Sequence, residues 1–169
     1  MIRRTQIARL VVVFSLGSLT FPTNLAAAGA PITPPYEITA VKAMLFYDGS
    51  ATFSPDVLAK PDFRFWNTII GEGDAKAPSN STLVLVEVTG HPSPNEAPHS
   101  RKVELTATTS RKILLKRTID IGLFGNDGKF YAAFWLYDTG CTPVALKARI
   151  VGQAEDSAIQ KTLNFRCGD

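Results

Sequence analysis

Lys129-Phe130-Tyr131-Ala132-Ala133-Phe134-Trp135-Leu136-Tyr137-Asp138-Thr139-Gly140-Cys141 is the stretch on which the fold turns. From Phe130 to Tyr137, five aromatics and one leucine fall in eight positions without a charge. That run is far short of the roughly 20 apolar residues a membrane helix needs. Its aromatics suit a pleated strand. Both faces of the run are apolar, which predicts a central strand covered on both sides. Asn126-Asp127-Gly128 before it is a hairpin turn signal, and Asp138-Thr139-Gly140 closes it.

The segments around it alternate with a period of two, the pattern of half-buried strands. Lys102 to Thr109 places Val103, Leu105 and Ala107 inward. Lys112 to Leu123 places Ile113, Leu115, Ile119 and Ile121 inward, and Arg117 breaks the pattern as an edge or bulge residue would. Val144 to Val151 turns Val144, Leu146, Ala148 and Ile150 inward. Ala158 to Cys167 puts Ile159, Leu163, Phe165 and Cys167 on one face. Upstream, Glu37 to Tyr47 reads as a strand and Ala51 to Phe53 as a short return. Ser54-Pro55-Asp56 reads as the cap of one helical turn through Leu58. Thr82 to Thr89 carries Val84, Val86 and Val88 on one face and Leu83 and Leu85 on the other.

No helical period of useful length interrupts this series. The expected fold is therefore all-β: an antiparallel β-sandwich of seven to eight strands, immunoglobulin-like in broad architecture. Long Pro- and Gly-rich loops at 71–81 and 90–100 favour a sandwich over an up-and-down barrel.

Three parts are expected along the chain. Residues 1–28 read as an export signal, with Arg3, Arg4 and Arg9 ahead of an apolar core from Leu10 to Leu19 and small residues at Ala26-Ala27-Ala28. Residues 29–36 are a Pro-rich leader, and 37–169 form the sandwich domain. Cleavage near Ala28 would deliver a secreted or periplasmic chain with no membrane span. Of the 18 basic and 15 acidic residues, three arginines belong to the signal, so the remainder is neutral. The basic character thus gives no reason to expect nucleic acid as a partner.

The two cysteines, Cys141 and Cys167, form an even set in an exported chain, which predicts a disulfide. It would close a loop of about 25 residues and contribute about 3 kcal/mol.

Candidate sites are few. His91, His99 and Glu96 share the 90–100 loop, and two imidazoles with a carboxylate can ligate zinc or copper, although their spacing fits no known motif. Arg101, Lys102, Arg111, Lys112, Lys116 and Arg117 place six cations on one hairpin, a candidate surface for an anionic protein, glycan or lipid headgroup. The same residues would also guard a sheet edge against aggregation. Trp66, Trp135, Tyr47 and Tyr137 raise a sugar-binding reading that needs an exposed coplanar pair, whereas Trp135 at strand parity is expected in the core. Asp138-Thr139-Gly140 resembles the catalytic tripeptide of aspartic proteases over three residues only, and a turn after a strand accounts for it. No nucleophile elbow or cofactor motif is present. The expected function is a non-catalytic domain that binds or scaffolds an extracytoplasmic partner, without a cofactor. The alternatives are an enzyme or metal-handling protein using the 90–100 loop, and a carbohydrate-binding module.

Overall fold

Eight strands make two four-stranded antiparallel sheets in the computed structural model, which describes residues 36–63, 74–77, 79–90, 101–139 and 141–166. The export signal, residues 29–35 of the Pro-rich leader, residues 91–100 of the 90–100 loop, Trp66 and Cys167 lie outside the described residues. The strands are β1 (Tyr36–Tyr47), β2 (Thr52–Phe53), β3 (Ser81–Gly90), β4 (Lys102–Thr108), β5 (Ile113–Asp120), β6 (Lys129–Tyr137), β7 (Val144–Ile150) and β8 (Ile159–Leu163). The first sheet has the order β2-β1-β3-β6 and the second β5-β4-β7-β8. Lettered as in immunoglobulin domains, β1, β3 and β6 take the A, B and E places. β4, β7 and β8 take C, F and G, with β5 beside C as C′.

The period-two reading explains the core. Val84, Val86 and Val88 of β3 are fully buried, as are Val103, Leu105 and Ala107 of β4 and Phe134 of β6. Leu163 and Phe165 close the last strand's inner row. These rows interdigitate between the sheets, where burying one such side chain contributes roughly 1.5–3 kcal/mol.

Several expectations are corrected. The aromatic strand is not central: among the described residues β6 ends the first sheet, paired with β3 alone. A two-layer sandwich covers only one face of each sheet, so Ala132, Phe134 and Leu136 are buried while Tyr131, Ala133 and Tyr137 face outward. The Asn126-Asp127-Gly128 turn reverses the chain, with Gly128 at φ 71°, but its flanking strands belong to different sheets and it closes no hairpin ladder.

Ile113 is 62% exposed rather than inward. Ala107 pairs with Leu115 but Thr108 pairs with Ile113, so Leu114 is an extra residue. A one-residue bulge sends the side chain beyond it to the opposite face.

No helical turn forms at Ser54–Leu58. Instead this segment runs beside β1 as a substitute strand. Leu45 N–H donates to Ser54 Oγ and Ala43 N–H to Asp56 Oδ1, both at 2.9 Å. Ser54 N–H and Val57 N–H return bonds to Leu45 O and Ala43 O. Pro55 has no N–H to give, and the Ser54 and Asp56 side-chain oxygens stand in for backbone acceptors of the Leu45 and Ala43 N–H groups.

Candidate functional site

The two outward faces differ in chemistry. On the second sheet, Glu104, Thr106 and Lys102 of β4 align with Arg149 and Lys147 of β7 and with Lys116, Thr118 and Asp120 of β5. Arg149 bonds Glu104 at 2.7 Å and Glu155 at 2.8 Å, Lys147 also pairs with Glu155, and Lys102 meets Asp120 at 2.6 Å. This is a solvated face laced by ion pairs.

The first sheet's outward face is largely apolar. Strand register lays it out in rows: Phe53, Phe46, Ser81 and Tyr137; then Met44, Leu83 and Trp135; then Lys42, Leu85 and Ala133. Phe53 is 45% exposed and Tyr137 62%, while Phe46, Met44, Leu83, Leu85 and Trp135 are half-buried against one another. The rings form one cluster. Phe46 meets Trp135 edge-on at 5.9 Å, and Phe53 lies 5.2 Å from Phe46 and 6.0 Å from Trp135. Trp135 and Tyr137 have ring planes only 16° apart with centroids at 6.3 Å. Residues two apart on a strand share a face, which is why this pair meets.

The expectation that Trp135 lies in the core is therefore corrected. Its parity matches Tyr131, Ala133 and Tyr137, all outward, and the neighbouring rings half-cover it. Tyr47 belongs to the core, at 4% exposure, and its hydroxyl accepts from Lys76 N–H.

A charged clamp ends the apolar face. Glu87 of β3 is buried at 5% exposure. Its carboxylate accepts from Lys129 at 2.8 Å, Thr39 at 2.9 Å and Lys42 at 3.3 Å. The Lys129 bond, helped by Thr39 and Lys42 and opposed by burial, holds Glu87 down at about 2. The same bond raises the Lys129 ammonium above its ordinary value. Thr39 reaches the clamp because it is the bulged residue between Ile38 and Ala40. Lys42 also lies 6.0 Å from the Tyr131 ring centroid.

The hairpin cations do not gather at one point. Lys102 pairs with Asp120 at one end of β4–β5, while Arg111 and Lys112 sit in the turn at the other. Seven residues of strand, roughly 23 Å, separate Lys102 from that turn. Arg111, Lys112, Lys116 and Arg117 are exposed and form no ion pair with a described residue.

No group of three or more metal-ligating side chains occurs among the described residues; His91, His99 and Glu96 lie outside them. A shallow groove of about 300 Å³ is lined by Thr39, Lys42, Asp56 and Lys161. Its carboxylate, Asp56, is engaged with two backbone N–H groups. Asp138 is an exposed turn residue with φ 49°, a left-handed conformation that Asp tolerates. Cys141 is not a free thiol.

Phe46, Phe53, Met44 and the Glu87 clamp were missed from sequence. The usable signal was the pair of strands, β3 and β6, with apolar residues at both parities: in a two-layer fold one of those rows must face outward. No protein-family model matches the chain, and no curated protein is significantly similar to it.

Proposed function

We propose that this protein is an exported, non-catalytic binding domain that meets an extracytoplasmic protein partner through the outward aromatic face of its first sheet. The observation that carries the reading is the outward ring cluster of half-buried Phe46 and Trp135 with exposed Phe53 and Tyr137, set on a sheet whose inner face already fills the core. Apolar surface of this kind, rimmed by Lys42, Glu87 and Lys129, is characteristic of contact sites. Arg3, Arg4, Arg9 and the apolar run after them support export, with cleavage near Ala28. Intact mass of the secreted chain should give a start at or near Gly29, and a retained Met1 removes the export reading.

The test of the face is recovery of a partner from the extracytoplasmic fraction of the native host by the protein and by a Phe53→Ser/Tyr137→Ser variant. One defined polypeptide held by the first and lost by the second is the expected result. Equal recovery by both refutes the assignment of the face.

Saccharide binding is the second reading, favoured by the near-parallel Trp135 and Tyr137 rings. Against it, the side chains around the pair are mostly Met44, Leu83, Leu85 and phenylalanines, and Ser81 opposite Tyr137 is buried, so sugar hydroxyls would find few hydrogen bonds there. Glycan titration followed by Trp135 fluorescence in a Trp66→Phe background separates the two. A saturable change abolished by Tyr137→Ala would turn the assignment to sugar.

A further inference from the structure

The four sheet edges are not treated alike. Beside β2, the chain from Ser54 to Val57 occupies the backbone of β1 and carries Pro55. β5 carries Lys116 and Arg117 and a bulge at Leu114. β8 is five residues long, with Gln160 and Lys161 exposed. Each of these is a recognised protection against strand-to-strand association. β6 has none of them: nine residues, no proline, no bulge against β3, and no charge from Phe130 to Tyr137.

The orientation of its backbone follows from one end. Lys129 N–H donates to Asp127 Oδ1 at 3.2 Å, and Lys129 C=O accepts from Gly125 N–H at 2.8 Å. Both groups therefore point away from β3. In an antiparallel ladder this alternates by residue, and the β3–β6 register is unbroken. The N–H and C=O groups of Tyr131, Ala133 and Trp135 thus also point away from β3, and none has a backbone partner among the described residues.

The surroundings say what would fit. β5 approaches β6 across the sandwich on this same side. Arg117 of β5 sits opposite the fully buried Leu105, at inward parity, yet is exposed because β5 ends its sheet. A strand added to β6 would direct one row of side chains along Tyr131 and Trp135 and the other toward Arg117. We infer that the open edge of β6 is a strand-addition site for an extended partner segment, apolar on one row and bearing carboxylates on the other. A second copy of this chain is a poor occupant, since it would bring two Arg117-bearing edges side by side. The inference rests on the first sheet being the recognition surface, and it names the mode of contact.

The test uses the exported protein and a fluorescein-labelled ten-residue peptide in which valine alternates with glutamate, followed by anisotropy. The comparators replace glutamate with lysine, or place a proline at the centre. Ala133→Pro removes one outward donor and leaves the β3 ladder intact, because proline is accepted on an edge strand where its nitrogen faces away. The expected result is saturable binding of the glutamate peptide, weakened about tenfold or more by either peptide change and by Ala133→Pro. Arg117→Glu should reverse the preference between glutamate and lysine peptides. If Ala133→Pro fails to fold, that reversal decides alone. Absent binding, equal binding by both charge types, or insensitivity to folded Ala133→Pro overturns the inference. So does a dimer in sedimentation velocity that Ala133→Pro abolishes. A native partner lost with Phe53→Ser/Tyr137→Ser but retained by Ala133→Pro would leave the face standing and remove the edge.

Discussion

Replacing Glu87 with glutamine should cost stability in a way that depends on pH. The carboxylate is nearly out of water, and one hydroxyl and two ammonium groups meet it. Its pKa falls from 4.5 to about 2 on folding, chiefly through the Lys129 bond. A folded pKa below the unfolded one means that the unfolded chain takes up the proton first. Stability from Glu87 is thus complete above pH 4.5 and is lost as pH falls toward 2. The displacement corresponds to at most about 3 kcal/mol. The Lys42 and Lys129 side chains are 41% and 36% exposed, so salt screens them and the contribution should fall at high ionic strength. Urea midpoints of the wild type and Glu87→Gln, measured from pH 7 to pH 2.5, give the answer. Glutamine has the shape of protonated glutamate, and every other carboxylate titrates in both proteins, so the difference isolates this charge. The gap should be about 2–3 kcal/mol at pH 7 and narrow to about 1 kcal/mol by pH 2.5. A gap that stays constant across that range would refute the clamp.

The two faces of β6 should respond differently. Phe134→Ala, at a fully buried position, should cost about 3–5 kcal/mol in denaturant unfolding, while Tyr137→Ser, at 62% exposure, should stay within about 0.5 kcal/mol. Ser54→Ala strands the buried Leu45 N–H and should cost about 1–3 kcal/mol, more than an exposed serine would. Arg149→Ala leaves Glu104 with its side chain only 12% exposed and no cation at 2.7 Å; thermal unfolding should show a larger loss than Lys102→Ala, whose partner Asp120 is half-exposed. For the bridge expected between Cys141 and Cys167, thiol labelling of the denatured, unreduced chain should find no free thiol, and reduction should lower stability by about 3 kcal/mol. One labelled thiol per chain would refute the pairing.

Strand identity was legible because period-two alternation is a local signal. β4 and β7 read correctly at every inward position, from Val103 to Ala107 and from Val144 to Ile150. What could not be read was pairing. Neither the end position of β6 nor the extra Leu114 in β5 leaves a mark in composition, because both depend on which strand lies alongside. Ser54-Pro55-Asp56 misled for a related reason. Ser and Asp side chains accept backbone N–H bonds at a helix start, and here they accept them from β1. The Glu87 clamp needs four residues from three strands, so no window of sequence contains it.

The aromatic face and the open edge bear on each other through energetics. Tyr131, Tyr137 and Phe53 are 44%, 62% and 45% exposed, and rings of their size present about 200 Å² each, so together they leave roughly 300 Å². At about 25 cal/mol per Å², covering them yields about 7 kcal/mol. Association costs about 4–15 kcal/mol in lost freedom, so the rings alone support at best a weak complex. An added strand supplies what they lack. It satisfies the outward backbone groups of Tyr131, Ala133 and Trp135 and carries its own side chains across the half-buried Trp135 at the same time. A partner that uses both should therefore lose far more than its share when either is removed. Combining Ala133→Pro with Tyr137→Ser should cost less than the two separate losses added, because each already disables the other's contact. Strict additivity would mean that the edge and the aromatic face contribute independently to the complex, against the coupling argued here.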